Sequence, residues 1–145
     1  MKITLICIGK NNSKSFDSEI KKYFKRINSY INFSIIYFNN SKTLDEKVKN
    51  KRKKKCLIFL LDEKGIEYNS LKFSSFIEKK IYSGINNITF IIGNHSGFSK
   101  FITDNFNNKI SLSKMTFSHQ MIRLFFCEQL YRAFTIINNH PYHNN

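Results

Sequence analysis

The chain has 145 residues, of which 41% are hydrophobic, and this length and composition predict one folded domain spanning residues 1–145 and exclude a disordered chain. Its net charge of +14 favours a polyanionic partner, most often nucleic acid. Only 4 of the 24 basic residues are Arg, so a coding bias toward A/T-rich codons explains part of the excess, and charge alone does not establish the partner.

Signals for secretion, membrane insertion and metal binding are missing from the sequence. The opening apolar run is too short for a signal peptide, and none approaches the roughly 20 residues that span a membrane. The three cysteines, Cys7, Cys56 and Cys127, are dispersed and odd in number, which argues against a disulfide framework and a zinc site. We therefore expect a cytoplasmic protein without a metal, in which Cys7 and Cys127 are inert core thiols.

The first part of the chain alternates apolar runs with an amphipathic segment. Residues 2–8, which are rich in β-branched side chains and end at Gly9, predict a buried strand, and residues 33–38 predict a second one. Between them, residues 13–30 place apolar side chains at spacings of three and four, which is typical of one face of a helix.

Two groups of basic residues are candidate RNA contacts. A helix predicted at residues 43–55 ends in a dense basic run, which is either a solvated helix end or a phosphate-binding patch that includes Lys53 and Lys54. Farther along, Arg132 follows Glu128 by four residues, so Arg132 either pairs with Glu128 or contacts RNA. The sequence leaves both alternatives open.

The middle of the chain continues the alternation of strands and helices, which predicts an α/β fold: a mostly parallel sheet with helices on both faces. Ligands bind such sheets at the carboxyl ends of the strands. The glycine-containing loops predicted there are therefore candidate binding loops. In chain order, we predict a strand at 56–61, a loop at 62–65, a helix at 70–82, a strand at 88–92, a loop at 93–97, a short helix with Phe98, Phe101 and Ile102, and a short strand at 109–113.

The last third of the chain, residues 111–143, concentrates its rare residue types. It holds the only Ala, the only Pro, both Gln and three of the four His. A helix is predicted from Ser118, a competent N-cap, to about residue 138, and Pro141 prevents its continuation. Apart from Arg123 and a narrow polar stripe this helix is largely apolar, so it must be buried on several sides, and a subunit interface would supply extra cover.

The segments that flank this helix are the main candidates for chemistry. Residues 112–117 (LSKMTF) carry small hydroxyls and a Met, and form either a loop that binds an adenine edge or an ordinary turn. After the helix, His140, Tyr142 and His143 form a polar, aromatic tail. Two His at this spacing without nearby Cys or acidic residues are seldom a metal site, so base stacking or proton transfer fits them better.

These residues closely resemble a known family. The run SLSKMTFSHQMIRLFFCEQLYRAFTIINNHPYH is similar to the C-terminal signature of the RlmH family, which are ribosomal large-subunit pseudouridine methyltransferases of the SPOUT superfamily. The segments MKITLICIGK, LDEKG and FIIGNHSGFS match other family landmarks in order and spacing. The resemblance covers the whole chain.

The resemblance implies an α/β fold with a deep C-terminal trefoil knot, a homodimer, and S-adenosylmethionine as cofactor. The implied substrate is pseudouridine 1915 of 23S rRNA in the assembled ribosome, methylated at N3. His140 and His143 are then candidate bases for the imide proton, with Tyr142 as a stacking or positioning group. The implied cofactor pocket consists of Leu61, Gly93, Leu112, Ser113, Lys114, Met115, Thr116 and Phe117.

Three positions depart from the family pattern. Asn94 stands where the family has a second glycine, Ser118 replaces a proline, and Asn144 stands where the family tail has a basic residue. Asn adopts left-handed backbone more readily than most residues, so we expect the loop to keep its shape. A non-catalytic ribosome-binding factor on the same fold is the alternative function. A metal-dependent RNase lacks the carboxylate cluster it would need.

Overall fold

The computed structural model describes residues 1–9, 13–51 and 56–144, in which strands and helices alternate. The strands are β1 (Lys2–Ile8), β2 (Asn32–Phe38), β3 (Cys56–Glu67), β4 (Asn87–Ile92) and β5 (Lys109–Ser111). The helices are α1 (Lys14–Ile27), α2 (Ser41–Lys51), α3 (Ser70–Tyr82), α4 (Lys100–Asn105) and α5 (His119–Ile137).

The five strands form one sheet in the order β2-β1-β4-β3-β5, and every pair of neighbours is parallel. The predicted α/β fold with a mostly parallel sheet is confirmed. Strand order alone does not determine how the chain threads, so the trefoil knot stays a prediction at this point.

Helices cover both faces of the sheet. Residues Ile3 and Leu5 of β1 belong to the core beneath α1, α3 and α5, whereas Ile6 and Ile8 belong to the core beneath α2 and α4. Because both faces are buried, the central strands are apolar almost without interruption. On the first face α5 packs against both α1 and α3, so it forms the middle of that layer.

Helix α1 ends three residues before the predicted limit at residue 30, and the side chain of Asn28 gives the reason. Its Nδ2 donates to the carbonyl of Phe24 at 2.9 Å and to that of Phe33 at 3.1 Å. The backbone N–H of Phe33 donates to Asn28 Oδ1 at 3.1 Å. Asn28 thus caps the helix and holds the start of β2 at the same time.

Strand β3 is longer than predicted, and the loop predicted at residues 62–65 is wrong. The strand continues through this segment to Glu67, with a register irregularity against β5 between Leu61 and Ile66. A Cβ atom on Gly65 would lie 2.6 Å from the backbone nitrogen of Ile110. Only glycine therefore lets β5 approach closely enough to pair, which extends β3 beyond its apolar run.

Helix α5 begins as predicted, with the Ser118 hydroxyl accepting a hydrogen bond from the backbone of Met121 at 3.3 Å. The helix buries side chains on several sides, as its apolar composition predicts. Met121 and Phe125 are the exceptions, since each leaves 39% of its surface exposed. These two residues mark an apolar strip that the rest of the described chain does not cover.

Candidate functional site

The register of three neighbouring strands brings the predicted cofactor segments together. In the parallel register, Leu61 of β3 pairs with Ile92 of β4 on one side and with Ile110 of β5 on the other. Gly93 and Leu112 follow those partners by one and two residues, so they lie at the same edge of the sheet as Leu61. The carboxyl edge is where ligands bind in open α/β sheets.

The loop after β5 is shaped by its own small side chains. The hydroxyl of Ser111 donates to the carbonyl of Ser113 at 2.7 Å, and the hydroxyl of Ser113 accepts from the backbone of Met115 at 3.0 Å. Thr116 Oγ1 then donates to Glu63 Oε2 at 2.7 Å, which ties the loop to β3. The predicted cofactor loop thus has a defined conformation, and an exposed hydrogen bond to Glu63 and an exposed ion pair between Lys114 and Glu67, at 3.7 Å, link it to β3.

The loop after β4 keeps a tight turn although Asn94 replaces a glycine. The Asn94 side chain accepts from the backbone of Ser96 at 2.9 Å, and its carbonyl accepts from the backbone of Gly97 at 2.9 Å. Asn94 does not adopt a positive φ, so the turn needs its side-chain acceptor and not a left-handed backbone. A Cβ atom on Gly93 would lie 3.0 Å from the Gly97 carbonyl oxygen, so any larger residue there would press against the turn.

A cavity of about 440 Å³ opens beside the loop after β5. This volume lies within the range of small-molecule sites. Ser70 Oγ donates to Gln129 Oε1 at 2.7 Å across the cavity wall and so links α3 to α5. Three of the predicted cofactor residues line the cavity, namely Leu112, Ser113 and Phe117, together with Tyr68, Asn69, Ser70, Phe73, Ile110, Ser111, Phe125 and Gln129.

The C-terminal tail folds back onto the middle of α5 around the carboxylate of Glu128. Tyr142 donates its hydroxyl to Glu128 Oε1 at 3.1 Å, and Arg132 Nε donates to the same oxygen at 3.0 Å. Arg132 Nη1 lies 3.0 Å from Nδ1 of His143. The structure therefore brings Arg132, Tyr142 and His143 together, whereas His140 is exposed at the surface. The predicted pairing of Arg132 with Glu128 is present.

These contacts determine the protonation of the tail. A guanidinium can only donate, so Nδ1 of His143 accepts from Arg132, and the ring proton of the neutral imidazole resides on Nε2. Burial, the hydroxyl of Tyr23 and the nearby Glu128 carboxylate raise the pKa of Tyr142, so it stays a phenol. Hydrogen bonding to Glu128 raises the pKa of Arg132. In this conformation neither Tyr142 nor His143 offers a free basic atom.

Arg123 is the functional group that the sequence did not single out. It is fully buried, and its Nη2 donates to the carbonyls of Ile8 at 2.8 Å and Gly9 at 3.1 Å. Its guanidinium also lies 5.4 Å from the ring centre of Tyr37. The guanidinium of Arg123 also lowers the pKa of the nearby Cys7 thiol. Burial has the larger effect and raises that pKa to about 12, so Cys7 is an inert thiol as predicted.

The whole chain has relatives of known family. Residues 1–143 match a family model described as a predicted SPOUT methyltransferase. This chain belongs to the SPOUT methyltransferase family. Among its relatives are proteins named ribosomal RNA large subunit methyltransferase H from Christiangramia forsetii, 43% identical, and from Phocaeicola vulgatus, 44% identical. In each case the match spans 99% of this chain and 99% of the relative.

Solved structures show the same SPOUT fold at low sequence identity. A probable methylase family protein from Haemophilus influenzae superposes with a TM-score of 0.56 and 14% identity over 99% of this chain and 70% of its own. The SpoU methyltransferase AviRb from Streptomyces viridochromogenes, solved with AdoMet, gives a TM-score of 0.53 and 10% identity over 96% of this chain and 61% of its own.

Some predictions for this SPOUT methyltransferase concern residues beyond those described. Lys53 and Lys54 lie outside the described ranges, so their proposed RNA contact stays a prediction. Within residues 1–9, 13–51 and 56–144, no group of three or more His, Cys, Asp or Glu side chains could hold a metal ion. None of the helices in the same ranges is both long and apolar enough to cross a membrane.

Proposed function

We propose that this SPOUT methyltransferase transfers a methyl group from S-adenosylmethionine to N3 of pseudouridine 1915 in 23S rRNA of the assembled ribosome. One observation supports this assignment most strongly: the register of β4, β3 and β5 gathers Leu61, Gly93 and residues 112–117 at one edge of the sheet. The relatives named ribosomal RNA large subunit methyltransferase H support the choice of ribosomal RNA.

The residues at this edge fit an adenosyl group. A side chain at Gly93 would press against the Gly97 carbonyl, and without one the backbone of this loop can approach a ligand closely. The hydroxyl-rich loop after β5 adds small polar groups, and Phe117 adds apolar cover at the cavity. When bound, the cofactor would supply an electrophilic methyl on a sulfonium. The protein's own task is to hold the RNA base in line with that methyl and to remove the imide proton.

The C-terminal tail is proposed to act at the RNA base, with His140, Tyr142 and His143 as its contacts and Arg132 as an RNA-binding cation. Glu128, which holds the tail, follows the first residue of α5 by nine residues, a rise of roughly 14 Å along the helix. The tail is thus well separated from the cofactor loop of its own subunit. A homodimer would complete the site, because the tail of one subunit could approach the loop of the other.

The exposed apolar strip supports this dimer. Met121 and Phe125 are exposed on α5. Phe125 also lines the cavity, and its ring meets that of Phe117 edge to face at 5.3 Å. Continuous apolar surface of this kind is typical of protein interfaces. The deep trefoil knot belongs to the same proposal, since knotted C-terminal segments would place α5 between the cofactor and the partner subunit.

Calorimetry and a methylation assay test the proposed function together. S-adenosylhomocysteine should bind the purified protein, and the protein with S-adenosylmethionine should methylate ribosomes that lack the modification. Mass spectrometry of 23S rRNA fragments would locate the methyl group. Binding of ribosomes without cofactor binding would support the non-catalytic ribosome-binding factor instead. Cofactor binding with a methyl group at another nucleotide would overturn only the assigned target.

Replacing Thr116 with Val should weaken S-adenosylhomocysteine binding. The variant removes the hydrogen bond to Glu63 and keeps the size of the side chain. A hydrogen bond of this kind contributes about 1 kcal/mol, which corresponds to a roughly fivefold rise in Kd. Thr103→Val is the matched control, because the Thr103 hydroxyl donates to the nearby carbonyls of Ser99 and Lys100, at the start of α4. Equal affinity of both variants in calorimetry would show that the contact does not shape the pocket.

Replacing both His140 and His143 with Gln should slow methylation of ribosomes without changing the Kd for S-adenosylhomocysteine. The tail contacts are proposed to serve the RNA base, so the loss should exceed about tenfold at limiting ribosome concentration. Lys79→Gln and Lys80→Gln together, on the distant end of α3, provide a control with two changed surface residues. Unchanged turnover in the His double variant would remove the tail from the site.

A further inference from the structure

His119 occupies a position at the carboxyl edge that the proposed function leaves without a role. It is the first residue of α5 and follows the last predicted cofactor residue, Phe117, by two positions. Arg123 lies one helical turn later on the same face and binds the carbonyls of Ile8 and Gly9. That face of α5 therefore lies over the end of β1.

The neighbouring strand places a second loop beside His119. Cys7 of β1 pairs with Ile92 of β4, so the loop from Gly93 to Gly97 begins level with the atoms that Arg123 binds. His119 lies one turn before Arg123, close enough to His95 of this loop for the two rings to interact electrostatically. His119 thus lies near the loop after β4 and follows the loop after β5 by two residues.

The His119 ring is available for chemistry. It is half-buried, and no hydrogen bond links it to any residue within 1–9, 13–51 and 56–144. Burial is the largest of the effects that lower its pKa, followed by the positive charges of Arg123 and His95. The imidazole is therefore neutral at pH 7, and one of its nitrogens has a free lone pair.

The other candidate bases are less suitable. Nδ1 of His143 already accepts from Arg132, and its Nε2 bears the proton. Tyr142 donates to Glu128 and stays protonated. His140 is exposed on the tail. Among the described His and Tyr side chains of the last third, His119 combines a free nitrogen with a place beside the cofactor loops.

We propose that His119 is the catalytic base that accepts the imide proton from N3 of the target pseudouridine, an inference that rests on the proposed function. The proton moves from N3 to the free imidazole nitrogen. The electron pair left on N3 forms the bond to the methyl carbon, and the carbon–sulfur bond breaks with its pair going to sulfur. The sulfonium becomes a neutral thioether, and the imidazolium then releases its proton to water.

The surroundings of His119 suit this cycle. A protonated His119 faces Arg123 on its own helix and His95 on the adjacent loop, and both disfavour the extra charge. The acquired proton is therefore released readily. The sign of the pH dependence follows: the rate falls as pH decreases through the His119 pKa, because the lone pair is lost.

The test compares His119→Gln with the matched variant His95→Gln in single-turnover methylation of ribosomes at saturating S-adenosylmethionine. His119→Gln should lower the rate at pH 7.5 by about a hundredfold, as expected for loss of a general base, and should abolish the decline at low pH. His95→Gln should move the decline toward higher pH, because a neighbouring positive charge is gone. Lys79→Gln with Lys80→Gln, on the distant end of α3, should leave both the rate and its pH dependence unchanged.

Two further measurements make the outcome decisive. S-adenosylhomocysteine should bind His119→Gln with the Kd of the wild type. Binding weakened by as much as the methylation rate would make His119 a cofactor contact and overturn the proposal. NMR of the wild-type protein with labelled histidine should show a neutral His119 at pH 7; a protonated ring would overturn it even if the variant fails to fold. If the wild type methylates ribosomes and His119→Gln does so at the same rate, only the assignment of His119 as the base is refuted. If the wild type does not methylate ribosomes, the proposed function is refuted too.

Discussion

Gly65→Ala should be the most destabilising single methyl addition in this protein. The new Cβ would lie 2.5 Å from the carbonyl carbon of Lys109 and 2.7 Å from that of Ile110. These are backbone atoms of the neighbouring strand, so no side-chain rotation can relieve the clash. Separating β5 from β3 would be the only relief. We expect the free energy of unfolding to fall by about 3 kcal/mol or more, at the upper end for overpacking.

Denaturant unfolding of Gly65→Ala beside Gly84→Ala measures this effect. Gly84 has a φ of +76°, but a Cβ atom there would meet nothing within 4 Å. Its variant therefore reports the cost of the left-handed backbone alone, about 1 kcal/mol. Calorimetry should also show weaker S-adenosylhomocysteine binding for Gly65→Ala, because the cofactor loop follows β5 directly. Equal stabilities of the two variants would show that β5 is not held as closely as the structure indicates.

Arg123→Met should cost about 2–4 kcal/mol of stability, since it leaves the carbonyls of Ile8 and Gly9 without their donor. Methionine has a similar length and no charge, so the loss is mainly that of the hydrogen bonds and of the contact with Tyr37. Methionine also removes the free-energy cost of burying the Arg123 charge, and this gain offsets part of the lost stability.

Arg26→Met is the matched control for Arg123→Met. Its guanidinium also lies over aromatic rings, those of Tyr23 and Tyr131 at 5.7 and 5.5 Å, but the residue is exposed. Its replacement should cost no more than about 1 kcal/mol. Thermal and denaturant unfolding of both variants would separate burial from cation–π contact. A stability of Arg123→Met equal to that of Arg26→Met would mean that water replaces the lost donor.

Local patterns predicted most of the elements because each element has a strong signature. The run of residues 2–8 could only be a buried strand, and Ser118 with the apolar run after it could only begin a helix. The sequence does not predict the continuation of β3 through residues 62–65, because Asp, Glu, Lys and Gly disfavour strands. Its cause, the close approach of Ile110, comes from a distant part of the chain.

The candidate site likewise contains residues that the sequence predicts and one residue that it does not. Residues 112–117 stood out by composition, and the parallel register then places them beside Leu61 and Gly93. Arg123 did not stand out, because an isolated cation on an apolar helix has no local signature that names its acceptors. Its partners at Ile8 and Gly9 lie 115 and 114 residues away in sequence. Only the folded chain relates these positions.

The central position of α5 in its layer has a consequence for biosynthesis. Helix α1 leaves the ribosome well before α5, the helix that covers its apolar face and that ends at Ile137. The nascent chain must therefore keep one face of β1 and α1 unprotected until α5 has been synthesised. Long-range contacts of this kind slow folding and expose apolar surface to aggregation. We expect the newly made protein to depend on chaperones more than its small size would suggest.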